Sequence, residues 1–224
     1  EKVKDLASSG DPFAQFRIAV LYETGHLVPT DEAYEWYLKT AEQGFFPAFF
    51  KLARHYYDGR ACSKDFVKAV YWYEKSAVLG DSSSCWNLAL TLQAGKPGVE
   101  KDAEKAFKWF LEGAKLGHVN CMAQVATCYL DGDGVAENPE KALEYFRMAS
   151  SKKHSEASYK LGILYENGIA VEQDWAKALE LYNLAAAEMK VAEESKKALQ
   201  KKILKQQQQE RGTRPAESQA ATSS

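Results

Sequence analysis

The chain has 224 residues, 46% hydrophobic and 27% charged, enough for one or two compact domains or a single elongated one. Its 29 Lys and Arg against 31 Asp and Glu leave a net charge of −2, which argues against a general nucleic-acid binder, since that function needs a basic excess on its contact face. No apolar run approaches the ~20 residues that span a bilayer, so membrane contact is not expected.

Residues 1–8 read as the remnant of an upstream helix, and the array that follows is expected to continue N-terminally. From residue 9 one pattern recurs five times. A small residue stands at Ala14, Ala48, Ser84, Cys121 and Ala157. Four residues on comes an aliphatic: Ile18, Leu52, Leu88, Val125 and Leu161. A second small residue follows at once, at Ala19, Ala53, Ala89, Ala126 and Gly162. A bulky residue comes next, at Tyr22, Tyr56, Leu92, Tyr129 and Tyr165, and then Gly25, Gly59, Gly95, Gly132 and Gly168. Successive glycines are 34, 36, 37 and 36 residues apart.

Each unit has a second half. Ala33, Ala69, Ala106, Ala142 and Ala178 lead to Trp36, Trp72, Trp109, Tyr145 and Leu181, each followed by an aromatic: Tyr37, Tyr73, Phe110, Phe146 and Tyr182. Spacings of three and four predict two amphipathic helices per unit. Glycine closes the first helix with a left-handed cap, and Gly44, Gly80 and Gly117 do so after the second; Lys153 stands where the fourth unit lacks one. The unit boundaries fall at about 9–44, 45–80, 81–117, 118–153 and 154–189.

The loop "YLDGDGVAEN" (129–138) alternates Asp131 and Asp133 with glycine, as a calcium loop does. Its four siblings share only the first glycine, and Val135 occupies a position where the calcium pattern needs oxygen. It is therefore read as a polar turn between antiparallel helices, and no metal is expected. Residues 190–210 keep apolar positions at helical spacing among six lysines. They are read as a helix that caps the last repeat, the alternative being a basic amphipathic element for an acidic partner or membrane surface. Residues 211–224 are small, polar and expected to be disordered.

The unit resembles the Sel-1-like repeat, a relative of the tetratricopeptide repeat. "ASYKLGILYENGIAVEQDWAKALELYNLAA" (157–186) matches that family's pattern almost throughout, departing mainly at Leu181, where Trp is usual. "KAVYWYEKSAVLG" (68–80) and "KAFKWFLEGAKLG" (105–117) match its second half. The resemblance implies an all-α fold, a right-handed superhelical solenoid of helix-turn-helix repeats. It also implies an adaptor that binds another protein or a peptide on its concave face, with no cofactor. A structural spacer within a larger receptor or envelope protein is the alternative, and a hydrolase a remote one.

Little points to catalysis. His26, His55, His118 and His154 fall in different units and at different repeat positions and form no metalloprotease motif. "GKPG" (95–98) lacks the spacing of a phosphate loop. Cys62, Cys85, Cys121 and Cys128 contain no C-x-x-C pair, so zinc is not expected. Reduced thiols favour a cytoplasmic setting, with a periplasmic or secreted one open if a signal segment was removed before Glu1.

Positions two, six and nine after the first small residue point roughly away from the intra-repeat core. There Phe16, Phe50, Trp86 and Tyr159 form an aromatic column, with Arg54 and Tyr57 further along one helix. Aromatic and Arg side chains dominate hot spots, so these residues are the candidate partner-binding site. They could equally pack on the first helix of the next unit. One residue along, Arg17, Lys51, Asn87, Gln124 and Lys160 form a polar row, of which Lys51 and Asn87 join the candidate set. This row could hold a peptide backbone or carboxylate, or be an ordinary solvated face.

Overall fold

A computed structural model describes residues 2–26 and 32–212. Residue 1, residues 27–31 and residues 213–224 of the expected tail lie outside the described residues. The described residues form twelve α-helices: α1 (Lys2–Ser8), α2 (Pro12–Glu23), α3 (Glu32–Glu42), α4 (Pro47–Asp58), α5 (Phe66–Val78), α6 (Ser82–Ala94), α7 (Ala103–Lys115), α8 (Val119–Asp131), α9 (Pro139–Ser151), α10 (Ser155–Asn167), α11 (Trp175–Ala186) and α12 (Lys190–Gly212). Among these residues there is no strand, only an isolated bridge between Lys96 and Val99. The fold class is therefore all-α, built of helix-turn-helix repeats. Two compact units divide the chain, Glu1–Asn138 and Pro139–Ser224. Within each unit every helix packs on its neighbour in chain order.

The sequence starts these helices with side-chain caps that replace the missing intrahelical acceptors. Asp11, Asp81, Asp65, Asp102 and Asp174 each accept a hydrogen bond from the backbone N–H three residues on, at 2.6–3.0 Å. Histidine does the same at α8 and α10. His118 Nδ1 accepts from Cys121 N at 3.3 Å, and His154 Nδ1 from Ala157 N at 3.1 Å. This corrects the sequence reading, which placed all four histidines at different repeat positions: His118 and His154 share the N-cap position. Each cap contributes about 1 kcal/mol.

Helix ends follow the expected glycine rule, with Gly59, Gly132 and Gly168 in left-handed conformation. Lys153 adopts the same region at φ 63° although it carries a side chain. The acidic loop is a packing device: Asp133 accepts from Gln93 Nε2 at 2.6 Å. Gly134 lies so close to the Ala103 carbonyl that a Cβ would collide with it.

The core repeats with the sequence. Ile18, Leu52, Leu88, Val125 and Leu161 are buried, as are Ala19, Ala53, Ala89 and Ala126. The second helices bury Tyr37, Tyr73, Phe110, Phe146 and Tyr182. In the second unit the reason for the small residue is explicit. A Cβ on Gly162 would stand 2.7 Å from the Tyr182 ring, inside van der Waals contact.

Buried hydroxyls need acceptors. Tyr37 Oη donates to Glu23 and Tyr182 Oη to Glu166, each at 2.7 Å. Where the ring is Phe110 or Phe146 and has no hydroxyl, the matching first-helix residue is Gln93 or Leu130. Burial pushes the Glu23 carboxyl upward, but hydrogen bonds from Lys51 and Tyr37 together hold it below the usual carboxylate range.

Two outcomes follow from these local geometries. Lys153→Gly relieves a left-handed side-chain residue and, after the added freedom of the unfolded chain, gains roughly 0.5–1 kcal/mol. Scanning calorimetry should show this as a small rise in Tm. The His118 cap works only with Nδ1 unprotonated, and burial lowers its pKa from the usual 6.5 against the opposing charge of Asp81. A base whose folded pKa is depressed contributes stability above its unfolded pKa and loses it as pH falls. Denaturant titrations should therefore show the wild type losing stability below pH 6.5 more steeply than His118→Asn, which keeps a cap without a titrating group.

Candidate protein-interaction face

The first helices of the repeats are α2, α4, α6, α8 and α10, and they carry all eight candidate residues. Phe16, Phe50, Trp86 and Tyr159 are half-buried. Each rests on the buried ring of its own repeat's second helix. Ring centroids lie 5.7 Å apart for Phe16 and Tyr37, 6.0 Å for Phe50 and Tyr73, 5.5 Å for Trp86 and Phe110, and 5.6 Å for Tyr159 and Tyr182. These are ordinary aromatic-pair distances.

Two of the rings also reach the start of the following repeat. Phe16 lies 5.6 Å from Phe45, and Trp86 stacks on His118 at 5.7 Å and 20°. The column thus has one face anchored and one face open. In the fourth repeat the same position is Ala123, which is buried.

Around Tyr73 the structure gathers three candidates. Phe50 and Tyr57 both pack on its ring, and the Arg54 charge acts on its hydroxyl. Burial pushes the Tyr73 hydroxyl well above its ordinary pKa, so it remains a neutral donor. Tyr57 is further braced by Phe66 at 5.3 Å. Arg54 is exposed and lies 3.6 Å from Asp58, a surface pair that contributes little to stability.

The polar row is mostly engaged within the chain. Lys51 Nζ pairs with Glu23 at 2.8 Å, bridging α2 and α4. Asn87 Nδ2 donates to Ser83 O at 2.8 Å, back onto its own helix. Tyr159 belongs to the second unit, where its hydroxyl stands 3.4 Å from Ser195 Oγ on α12.

Sequence reasoning missed Phe13, Phe45 and Phe46. The signal was present: Phe45 occupies the repeat position held by Asp81, His118 and His154. It also missed a hollow of 680 Å³ in the second unit, lined by Tyr165, Trp175, Lys177 and Gln206 among others. Arg147 Nη2 donates to Tyr165 Oη there at 2.6 Å. Glu172 and Asp174 also line this hollow, so its charge is mixed. Among the described residues no group of three His, Cys, Asp or Glu side chains is arranged to hold a metal, and all four cysteines are free thiols.

With that geometry in place, comparison with known proteins is direct. Sel1 repeats are recognised at residues 12–45, 48–81, 82–118, 119–154 and 155–188. Chitin synthase regulator SKT5 of Saccharomyces cerevisiae is 34% identical over 110 residues, 46% of this chain and 16% of its own length. Cytochrome c oxidase assembly factor 7A of Xenopus laevis is 33% identical over 126 residues, 53% of this chain and 54% of its own. The chain thus spans less than two thirds of either curated relative. The solved Sel1 repeat protein from Oxalobacter formigenes superposes with a TM-score of 0.76 at 31% identity, over 82% of this chain and 76% of that one. This chain belongs to the Sel1 repeat family, whose members are protein-interaction scaffolds and typically not catalysts.

Proposed function

We propose that the protein is an adaptor that holds a peptide or domain of another protein against the first helices of its first unit, α10 presenting Tyr159 in the same way within the second. One observation carries this reading. Phe16, Phe50, Trp86 and Tyr159 each stand on a buried ring that fixes their position, while their other face stays open. Rings held in place before binding lose little conformational freedom on association, which favours affinity. Arg54 and Tyr57 supply polar contacts at the edge of the Phe50 ring, and Lys51 and Asn87 lie beside the column. The names of two relatives, a regulator and an assembly factor, agree with work done by binding rather than by catalysis. On this reading the chain needs no cofactor.

The C-terminal helix has its own role in this proposal. Ala192 and Leu199 are fully buried on a helix that packs on α11. Lys196 and Lys197 pair with Glu193 on the same helix. Such a helix, apolar on one side and charged on the other, closes the apolar end of the last repeat.

The test compares two double variants. Phe50→Ala with Trp86→Ala should weaken capture of the natural partner, co-purified from the native cell and identified by mass spectrometry, by tenfold or more, equal to about 1.4 kcal/mol. Circular dichroism should show retained helix, since neither residue is fully buried. Tyr71→Ala with Val78→Ala removes apolar surface that is 52% and 71% exposed on second helix α5, and should leave capture unchanged. The reading fails if the first pair binds normally or the second pair does not.

A further inference from the structure

α4 breaks the rule that starts every other first helix. α2, α6, α8 and α10 are capped by Asp11, Asp81, His118 and His154. α4 begins at Pro47 behind Phe46, with no side-chain cap. Phe45 fills the place of the missing cap residue, and giving up a cap costs about 1 kcal/mol. A local rule broken without evident structural gain is where function is to be sought.

Phe45 makes a cluster instead. Its ring lies 5.6 Å from Phe16, 6.4 Å from Phe13 and 6.5 Å from Phe46. Phe13 and Phe46 are each 59% exposed. Two largely exposed phenylalanines, each in contact with the Phe45 ring, differ from the scattered apolar residues of an ordinary surface. The cluster opens into a groove of 350 Å³ lined by Phe13, Phe16, Arg17, Val20 and Leu21. Its walls are apolar except for one guanidinium.

That guanidinium sets the chemistry. Arg17 belongs to the polar row, and its four counterparts are all engaged: Lys51 with Glu23, Asn87 with Ser83, Gln124 with Cys128 and Lys160 with Glu156. Arg17 is exposed and, among the described residues, has no ion-pair or hydrogen-bond partner. Arginine offers a rigid fork suited to a carboxylate.

We propose that this groove is the anchor subsite for an acidic, apolar segment of the partner protein. A leucine- or phenylalanine-like side chain seats among Phe13, Phe16, Val20 and Leu21, and a neighbouring carboxylate pairs with Arg17. The proposal rests on the reading of the first-helix face as the partner-binding face and adds which part of that face recognises which chemistry.

The test uses three fluorescein-labelled heptapeptides: alternating leucine and glutamate, the same with lysine for glutamate, and the same with serine for leucine. Anisotropy titrations measure affinity on the full chain, and backbone amide NMR shifts locate binding. The leucine–glutamate peptide should bind at least ~10-fold more tightly than the other two and shift amides between Phe13 and Leu21. Arg17→Glu should reverse the order of the glutamate and lysine peptides. Phe13→Ser, at an exposed position, should weaken the leucine–glutamate peptide severalfold without changing the far-ultraviolet spectrum.

Equal binding of the glutamate and lysine peptides, or an order unaltered in Arg17→Glu, overturns the subsite. Shifts confined to α4, α6 or α10 also overturn it, but leave the first-helix face standing. That face falls instead if the Phe50 and Trp86 double variant captures the natural partner normally.

Discussion

The arrangement depends on one contact made three times in the first unit and once in the second, a second-helix ring buried among small and aliphatic residues of the first helix. Tyr37, Tyr73, Phe110 and Tyr182 hold this position, and none is more than 1% exposed. The ring is large enough to hold two helices apart at a fixed distance, and the small residue opposite lets them approach no further. Gly162 shows how tight the fit is, since even a methyl group there would meet the Tyr182 ring. Overpacking of this kind costs roughly 1–3 kcal/mol, so the choice of small residue follows from the ring.

The same ring links stability to binding. Its inner side completes the core, and its outer edge supports Phe16, Phe50, Trp86 or Tyr159. A partner meeting those residues touches a surface already rigidified by the fold. The hydroxyls of Tyr37 and Tyr182 extend the link, because each requires a glutamate on the first helix, and Glu23 in turn holds Lys51. At Tyr73, which has no such glutamate, three of the candidate residues, Phe50, Arg54 and Tyr57, converge instead. The rest of the polar row is engaged within the chain, Lys51 across to α2 and Asn87, Gln124 and Lys160 on their own helices, which is why Arg17, without a partner among the described residues, stands out.

Much of the fold was legible in the sequence because it repeats. Five copies of the pattern average out local exceptions, so the helix pairs and the glycine at the end of each first helix could be read from spacing alone. The candidate face was legible only in outline. Angular spacing marked Phe16, Phe50, Trp86 and Tyr159 as lying off the main apolar stripe, yet it could not show that they lean on the second helix. That contact depends on where a neighbouring helix passes, which helical period does not encode. The N-caps were overlooked because their chemistry is shared by aspartate and histidine, so no single letter recurs. Phe45 escaped notice for the same reason. It is conspicuous only once its position is known to be a capping one.

Site-specific photo-crosslinking in the native cell tests the central claim most directly. A photoreactive phenylalanine would be placed at Arg54 or Asn87 on first helices α4 and α6, and at Tyr71 or Val78 on the second helix α5. The account predicts that the natural partner is crosslinked from positions 54 and 87 and not from 71 and 78. Crosslinks from 71 and 78, with none from the first helices, would contradict it.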